Sequence, residues 1–257
     1  MLNPVAFHLF GLDVRWYGIL IALGVLVALA IAKNLAGRVG GISPESLEDF
    51  LILAIPLGVL GARTWYVVFE WDYYSQHLNE IINIRQGGLA IHGGILGGII
   101  AALIFSKRKG YKFLDLADCL APGLVLAQGI GRWGNFINGE AHGGPTDLPW
   151  GILVDGVRVH PTFLYESILD VGIFLFLYFF LFKRRKFSGE LFASYGILYS
   201  IGRYFIEGLR TDSLWIGPFR TAQVTSLVII FLSILLILYG RKTHWLTDLE
   251  EKNRTNK

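Results

Sequence analysis

The sequence predicts an all-α integral membrane protein: seven transmembrane helices with a small cap on the outer side, the N-terminus outside and the C-terminus cytoplasmic. Three observations predict this. The 257 residues are 53% hydrophobic and only 17% charged, with mean hydropathy +0.51, whereas soluble domains carry about 25% charged residues. Seven stretches approach the ~20 mainly apolar residues that span a bilayer as a helix. The positive charges between those stretches are sorted by side.

In chain order the predicted spans are 17–36, 47–69, 89–105, 114–133, 162–182, 191–209 and 222–239. The first follows MLNPVAFHLFGLDV, which has no basic run ahead of an apolar core, so no cleaved signal peptide or organellar transit segment is expected. The third, fourth and sixth contain glycines and ionisable groups and depart most from a plain apolar helix. Pro161 suits the first turn of the fifth. Residues 1–257 read as a single polytopic domain with no soluble domain before or after the bundle. Segments 70–88 and 134–161 form the cap, and 241–257 is a short charged tail.

Orientation comes from the lysines. Lys33, Lys107, Lys109, Lys112, Lys183, Lys186, Lys242, Lys252 and Lys257 all fall on one side, with Arg38, Arg108, Arg184, Arg185, Arg241 and Arg254. The positive-inside rule makes that side cytoplasmic. The other side has arginines only: Arg15, Arg63, Arg85, Arg132, Arg158, Arg203, Arg210 and Arg220. A guanidinium presents a planar fork suited to bidentate phosphate binding. Headgroup snorkelling is the competing reading for any single one of them.

Cys119, the one cysteine, excludes an internal disulfide and a multi-cysteine metal site, and its apolar setting LADCLAPGL reads as packing.

Three segments concentrate polar chemistry. GRWGNFINGEAHGG (131–144) places Arg132, Asn135 and Asn138 three residues apart, on one face if the helix continues, with Glu140 following. Such a cluster at membrane depth costs several kcal/mol unless partnered, and so reads as functional. GGLAIHGGILGG (87–98) sets His92 in an apolar, glycine-rich stretch; Gly93/Gly97 and Gly94/Gly98 are small-residue pairs that permit close helix packing. His92 reads as either a structural group or a proton acceptor. YSIGRYFIEGLRTD (199–212) spaces Tyr199, Arg203 and Glu207 by four, with Arg210 three further, predicting one helical face and an Arg203–Glu207 pair. Two lesser blocks are RWYG (15–18), containing Tyr17, and HPTFLYES (160–167).

Together RWYG, AIHGG, GRxGNFxNxE, HPTxLYE and the Arg-xxx-Glu pair followed by an arginine resemble the prolipoprotein diacylglyceryl transferase family, in order and over nearly the whole chain. The resemblance implies an enzyme of the bacterial inner membrane, multi-pass, with a periplasmic cap and its active site toward the periplasm. It implies transfer of the sn-1,2-diacylglyceryl group of phosphatidylglycerol to the lipobox cysteine of a preprolipoprotein, forming a thioether and releasing glycerol-1-phosphate. Its partners would be phosphatidylglycerol, the lipobox-bearing signal peptide and membrane lipids, with no nucleic acid, cofactor or metal. Arg132 and Arg203 would bind the phosphate and His92 would activate the thiol. Asn135, Glu140, Glu207 and Tyr17 would be essential supports, with Asn138, Tyr199 and Arg210 at the substrate.

The chemistry agrees with that assignment. A thiol of pKa about 8.5 needs deprotonation near neutral pH, and a phosphate leaving group needs preorganised cations. A transporter is the main alternative, but the polar groups gather at the outer helix ends and no inverted repeat is evident. An intramembrane protease would need nucleophile or zinc motifs that are absent.

Overall fold

The computed structural model describes residues 3–9, 11–84 and 87–255; Arg85, Lys257 and the side chains of Lys252 and Arg254 lie outside the described residues. The chain divides into two compact units, one of residues 1–32 with 118–257 and the other of residues 33–117.

In the first unit a hairpin of β1 (Val5–Leu9) and β2 (Leu12–Arg15) leads into α1 (Trp16–Ala36). In the second, α2 (Ser46–Phe69) is followed by a single short turn, α3 (Trp71–Tyr74), and by α4 (Ile91–Lys109). α5 (Phe113–Asn138) returns the chain to the first unit. A hairpin of β3 (Ile152–Val154) and β4 (Val157–Val159) precedes α6 (Thr162–Leu175), whose rod continues through a π turn to Arg184. α7 (Glu190–Glu207), a hairpin of β5 (Trp215–Ile216) and β6 (Phe219–Arg220), and α8 (Thr221–Thr255) complete the chain.

Six of these helices are long and apolar enough to cross a membrane: α1, α2, α4, α5, the α6 rod and residues Thr221–His244 of α8. The sixth predicted segment does form a helix, α7. It is 18 residues long and contains Glu190, Arg203 and Glu207, and those charges set it apart from the six.

Within the second unit α2 and α4 approach backbone to backbone. A Cβ on Gly93 would overlap the Gly61 carbonyl, and one on Gly97 the Leu57 carbonyl. Of the two predicted small-residue pairs, Gly93/Gly97 makes the tight contact; Gly94 sits looser and Gly98 faces open space. The segment before α4 is tied down by Arg63, which is buried. Arg63 donates to the carbonyls of Glu80, Ile81, Gly87 and Gly88 at 2.6–3.1 Å and lies over the Tyr74 ring. At the opposite end of α2, Glu48 pairs with Lys33 and Asp49 with Lys109.

Within the first unit, α1 packs on α5 through Gly123, where a Cβ would lie 2.7 Å from the Ala28 carbonyl. The Cys119 thiol is buried and donates to the Ala32 carbonyl at 3.1 Å, as the packing reading expects. Asp118 is buried and accepts from the backbone N–H groups of Gly189 and Phe192 (both 2.8 Å) and from Arg185 (2.7 Å). It thereby satisfies donors at the start of α7 that no helical partner could.

Candidate active site

Three helix ends meet in the first unit. The last two turns of α5 present Arg132, Asn135 and Asn138 on one face, since the helix runs to Asn138. The first turns of α6 present Glu166, and the last turns of α7 present Tyr199, Arg203 and Glu207. α5 and α6 approach closely because residue 129 is glycine: a Cβ there would stand 3.1 Å from the Asp170 Cβ. The Ser167 hydroxyl seals the contact, donating to the Gly129 carbonyl at 3.0 Å and accepting from the Trp133 indole at 3.2 Å. An apolar cluster of Val125, Ile173 and Leu177 lies beneath, with Leu198 and Tyr199 packed against it. Tyr195 donates to Gln128 Oε1 at 2.6 Å and ties α7 to α5.

On this floor sits one carboxylate shared by three guanidinium groups. Glu166, 2% exposed, forms an ion pair through Oε2 with Arg132. Its Oε1 accepts from Arg203 Nη1 at 2.5 Å and lies 3.6 Å from Arg210 Nη1. Arg203 Nη2 pairs with Glu207 Oε2 at 2.6 Å, the predicted i,i+4 partner. Arg132 also donates to the Tyr199 hydroxyl at 3.2 Å, again through Nη2. Nε and Nη1 of Arg132 and Nε of Arg203 therefore have no protein partner among the described residues. Three donors on two cations held by a buried acid form a seat for an anion. Asp170, one turn along α6 from Glu166, is fully buried, and neither of its oxygens is hydrogen-bonded among the described residues.

Arg210 corrects one expectation. It does not share the helical face of Tyr199, Arg203 and Glu207, because α7 ends at Glu207. Instead it is held by a β-bridge to Gly143, with Gly144 N–H donating to the Leu209 carbonyl at 2.9 Å. Its guanidinium is bidentate on Asp212 at 2.9 and 2.7 Å. That hydrogen bonding holds the Asp212 carboxyl below the usual carboxylate range.

The remaining predicted residues divide. Tyr17, at the start of α1, packs its ring where a Cβ on Gly134 would lie, beside the 131–144 block. Glu140 is exposed; its backbone N–H donates to the Asn135 carbonyl at 2.9 Å and its Oε1 accepts from Asn138 Nδ2 at 3.2 Å. It rims a cleft of about 430 Å³ lined by Phe136, His142, Ile152–Val154 and Phe163. His92 lies in the other unit, exposed on the first turn of α4, its ring centroid 6.1 Å from that of Trp65.

Two sequence inferences need adjustment. Glu166, the hub, is not singled out by the spacing within HPTFLYES, although an acid inside an apolar span is a signal in itself. Two arginines of the lysine-free side serve the backbone instead of a phosphate seat: Arg63 as described, and Arg220, which donates to the carbonyls of Glu207 and Arg210 and to the Ser213 hydroxyl.

A family model described as prolipoprotein diacylglyceryl transferase matches residues 4–239. A protein of Clostridioides difficile (strain 630) is 54% identical over 99% of this chain and 98% of its own length. One of Finegoldia magna is 52% identical over 94% and 97%, and one of Bacillus cereus (strain Q1) 48% identical over 94% and 93%. All three are named phosphatidylglycerol–prolipoprotein diacylglyceryl transferase.

Proposed function

The chain belongs to the prolipoprotein diacylglyceryl transferase family, and on that premise we propose that it moves the sn-1,2-diacylglyceryl group of phosphatidylglycerol onto the lipobox cysteine of a preprolipoprotein. The cysteine sulfur bonds to the glyceryl carbon that carried the phosphate. The carbon–oxygen bond breaks with its electron pair going to the phosphate oxygen, and glycerol-1-phosphate leaves. The thiol proton passes to a base.

The observation that carries this reading is the pair of guanidinium groups, Arg132 and Arg203, fixed by the buried Glu166 and Glu207 with three donor nitrogens left over among the described residues. Cations already in place where charge grows on the leaving phosphate supply the large electrostatic term of such a reaction. Glu166 and Glu207 orient them; Tyr199 aligns Arg132; Arg210 adds a third positive charge. Asn135 and Asn138 shape the end of α5 and hold Glu140 at the cleft, and Tyr17 covers the same turn. His92 is the proposed acceptor of the thiol proton, on its chemistry and the family resemblance alone.

The protein is a multi-pass membrane protein. The proposed topology counts α7 as a seventh span, since Arg203 and Glu207 neutralise each other within it. The lysine distribution supports a cytoplasmic C-terminus, an arginine cluster on the outer side of the cytoplasmic membrane, and 134–161 in the outer cap. Nothing in the relatives' names favours a transporter. The test is transfer of labelled diacylglycerol from phosphatidylglycerol to a lipobox peptide by the purified protein; a thioether product is expected, and its absence with folded protein would overturn the reading.

A further inference from the structure

Among the described residues β3 has an open edge, and it lies beside the anion seat. The hairpin turn is Asp155–Gly156, both with positive φ (49° and 83°), the geometry that closes a two-residue loop. β4 is paired on both sides. Beyond β3 it bridges Pro145, with Thr146 N–H donating to the Arg158 carbonyl at 2.9 Å and His160 N–H to the Gly144 carbonyl at 3.0 Å. The Arg158 carbonyl thus points away from β3. Leu153, its partner in the register, is by the alternation of antiparallel ladders turned outward too. Its N–H and C=O face the free side, and Leu153 is 71% exposed. An unpaired edge of this kind is a template for another strand.

The edge borders the cleft of about 430 Å³. The floor of that cleft is the stacked pair Phe136 and Phe163, ring centroids 4.5 Å apart. Phe136 is four residues past Arg132 on α5, and Phe163 three before Glu166 on α6. The aromatic floor and the anion seat are therefore adjacent turns of the same two helices. A polypeptide laid extended along this edge would bring a following cysteine toward the seat where the phosphate is held.

We propose that the free edge of β3 is the docking site of the protein substrate. The signal-peptide segment before the acceptor cysteine adds as a strand beside β3, bonding to Leu153 N–H and C=O, with alternate side chains over Phe136 and Phe163. Backbone pairing of this kind gives affinity and the pocket gives preference for apolar side chains. The inference rests on the transferase reading for the identity of the occupant.

The test uses synthetic lipobox peptides, each N-methylated at one amide before the cysteine, with the unaltered enzyme. Peptide binding is followed by fluorescence anisotropy and transfer is measured in parallel. Methylation at the one amide that donates to the Leu153 carbonyl should weaken binding roughly 3- to 10-fold, as expected for one lost hydrogen bond, and the amides on either side of it should tolerate it. Leu153→Pro removes the outward N–H at an edge position where proline is tolerated. It should raise the peptide KM by a similar factor and leave the KM for phosphatidylglycerol unchanged. Uniform sensitivity along the peptide would overturn the proposal. So would a Leu153→Pro enzyme whose lipid KM rises instead, which would place an acyl chain in the cleft. Sensitivity confined to that one amide without any transfer would support the docking site and count against the reaction.

Discussion

Glu166→Gln keeps the size of the side chain and removes its charge. In the native site Oε1 lies 2.5 Å from Arg203 and 3.6 Å from Arg210, and Oε2 pairs with Arg132. At an effective dielectric of about 20, a single unit-charge pair at 3.6 Å is worth about 5 kcal/mol before desolvation is counted. Removing one member of a buried ion pair costs about 3–5 kcal/mol, because the remaining charge is left uncompensated. If about 3 kcal/mol of that is felt in the transition state, kcat/KM falls about 150-fold. The assay is initial-rate transfer from labelled phosphatidylglycerol to a lipobox peptide, with thermal unfolding followed on the same sample. The shared contact also implies a coupling. Glu166→Gln and Arg132→Lys combined should lose less than the sum of the single losses, by at least about 1 kcal/mol, since each disables the same contact. A Glu166→Gln enzyme within threefold of the unaltered rate, or strictly additive losses, would refute the claim that this carboxylate presents the arginines.

Arg132→Lys keeps charge but loses the planar fork; with Arg203→Ala it should show a large loss of transfer at normal membrane insertion, and near-native turnover in both would remove the phosphate clamp. His92→Gln should bind phosphatidylglycerol normally and react about 100- to 10,000-fold more slowly. Its rate should recover partly as pH rises, because the peptide thiol then ionises unaided; parallel pH–rate profiles for variant and native enzyme would exclude His92 as the base. Reporter fusions after Lys186 and after Lys242 should both register cytoplasm, and an outside signal at either would break the seven-span topology. Gly93→Val should fail to accumulate folded protein, since its Cβ would overlap the Gly61 carbonyl, and a fully active, heat-stable Gly93→Val would show that α2 and α4 can separate there.

The spans were legible because a bilayer demands continuous apolar length. Predicted 47–69 became Ser46–Phe69 and predicted 17–36 became Trp16–Ala36. The ends were less legible where polar residues extend a helix: predicted 114–133 runs on to Asn138, and predicted 222–239 to Thr255. The three hairpins were missed, though Asp155–Gly156 is a turn signal readable on its own. Helical spacing found Arg203 with Glu207 because both partners lie on one helix. It could not find Glu166, whose partners lie on α5, on α7 and beyond α7. The same spacing misplaced Arg210, because nothing in a count of three signals that the helix has stopped at Glu207. Arg63 and Arg220 bind carbonyls, and a carbonyl leaves no trace in the sequence.

The acid partners of α7 have a consequence for how the chain is made. Arg203 takes Glu166 from α6, and the start of α7 takes Asp118 from α5. Both acids precede α7 in the chain, so both have left the ribosome before α7 does. In the seven-span topology, the acid that shares Arg203 and the acid that caps the helix start are therefore already made when α7 reaches the membrane. Moving α7 ahead of α5 and α6 by circular permutation would leave the same contacts available in the finished fold but present α7 to the membrane before its Asp118 cap and its Glu166 contact exist. If α7 spans the membrane, the order of the helices along the chain supplies its partners before it needs them.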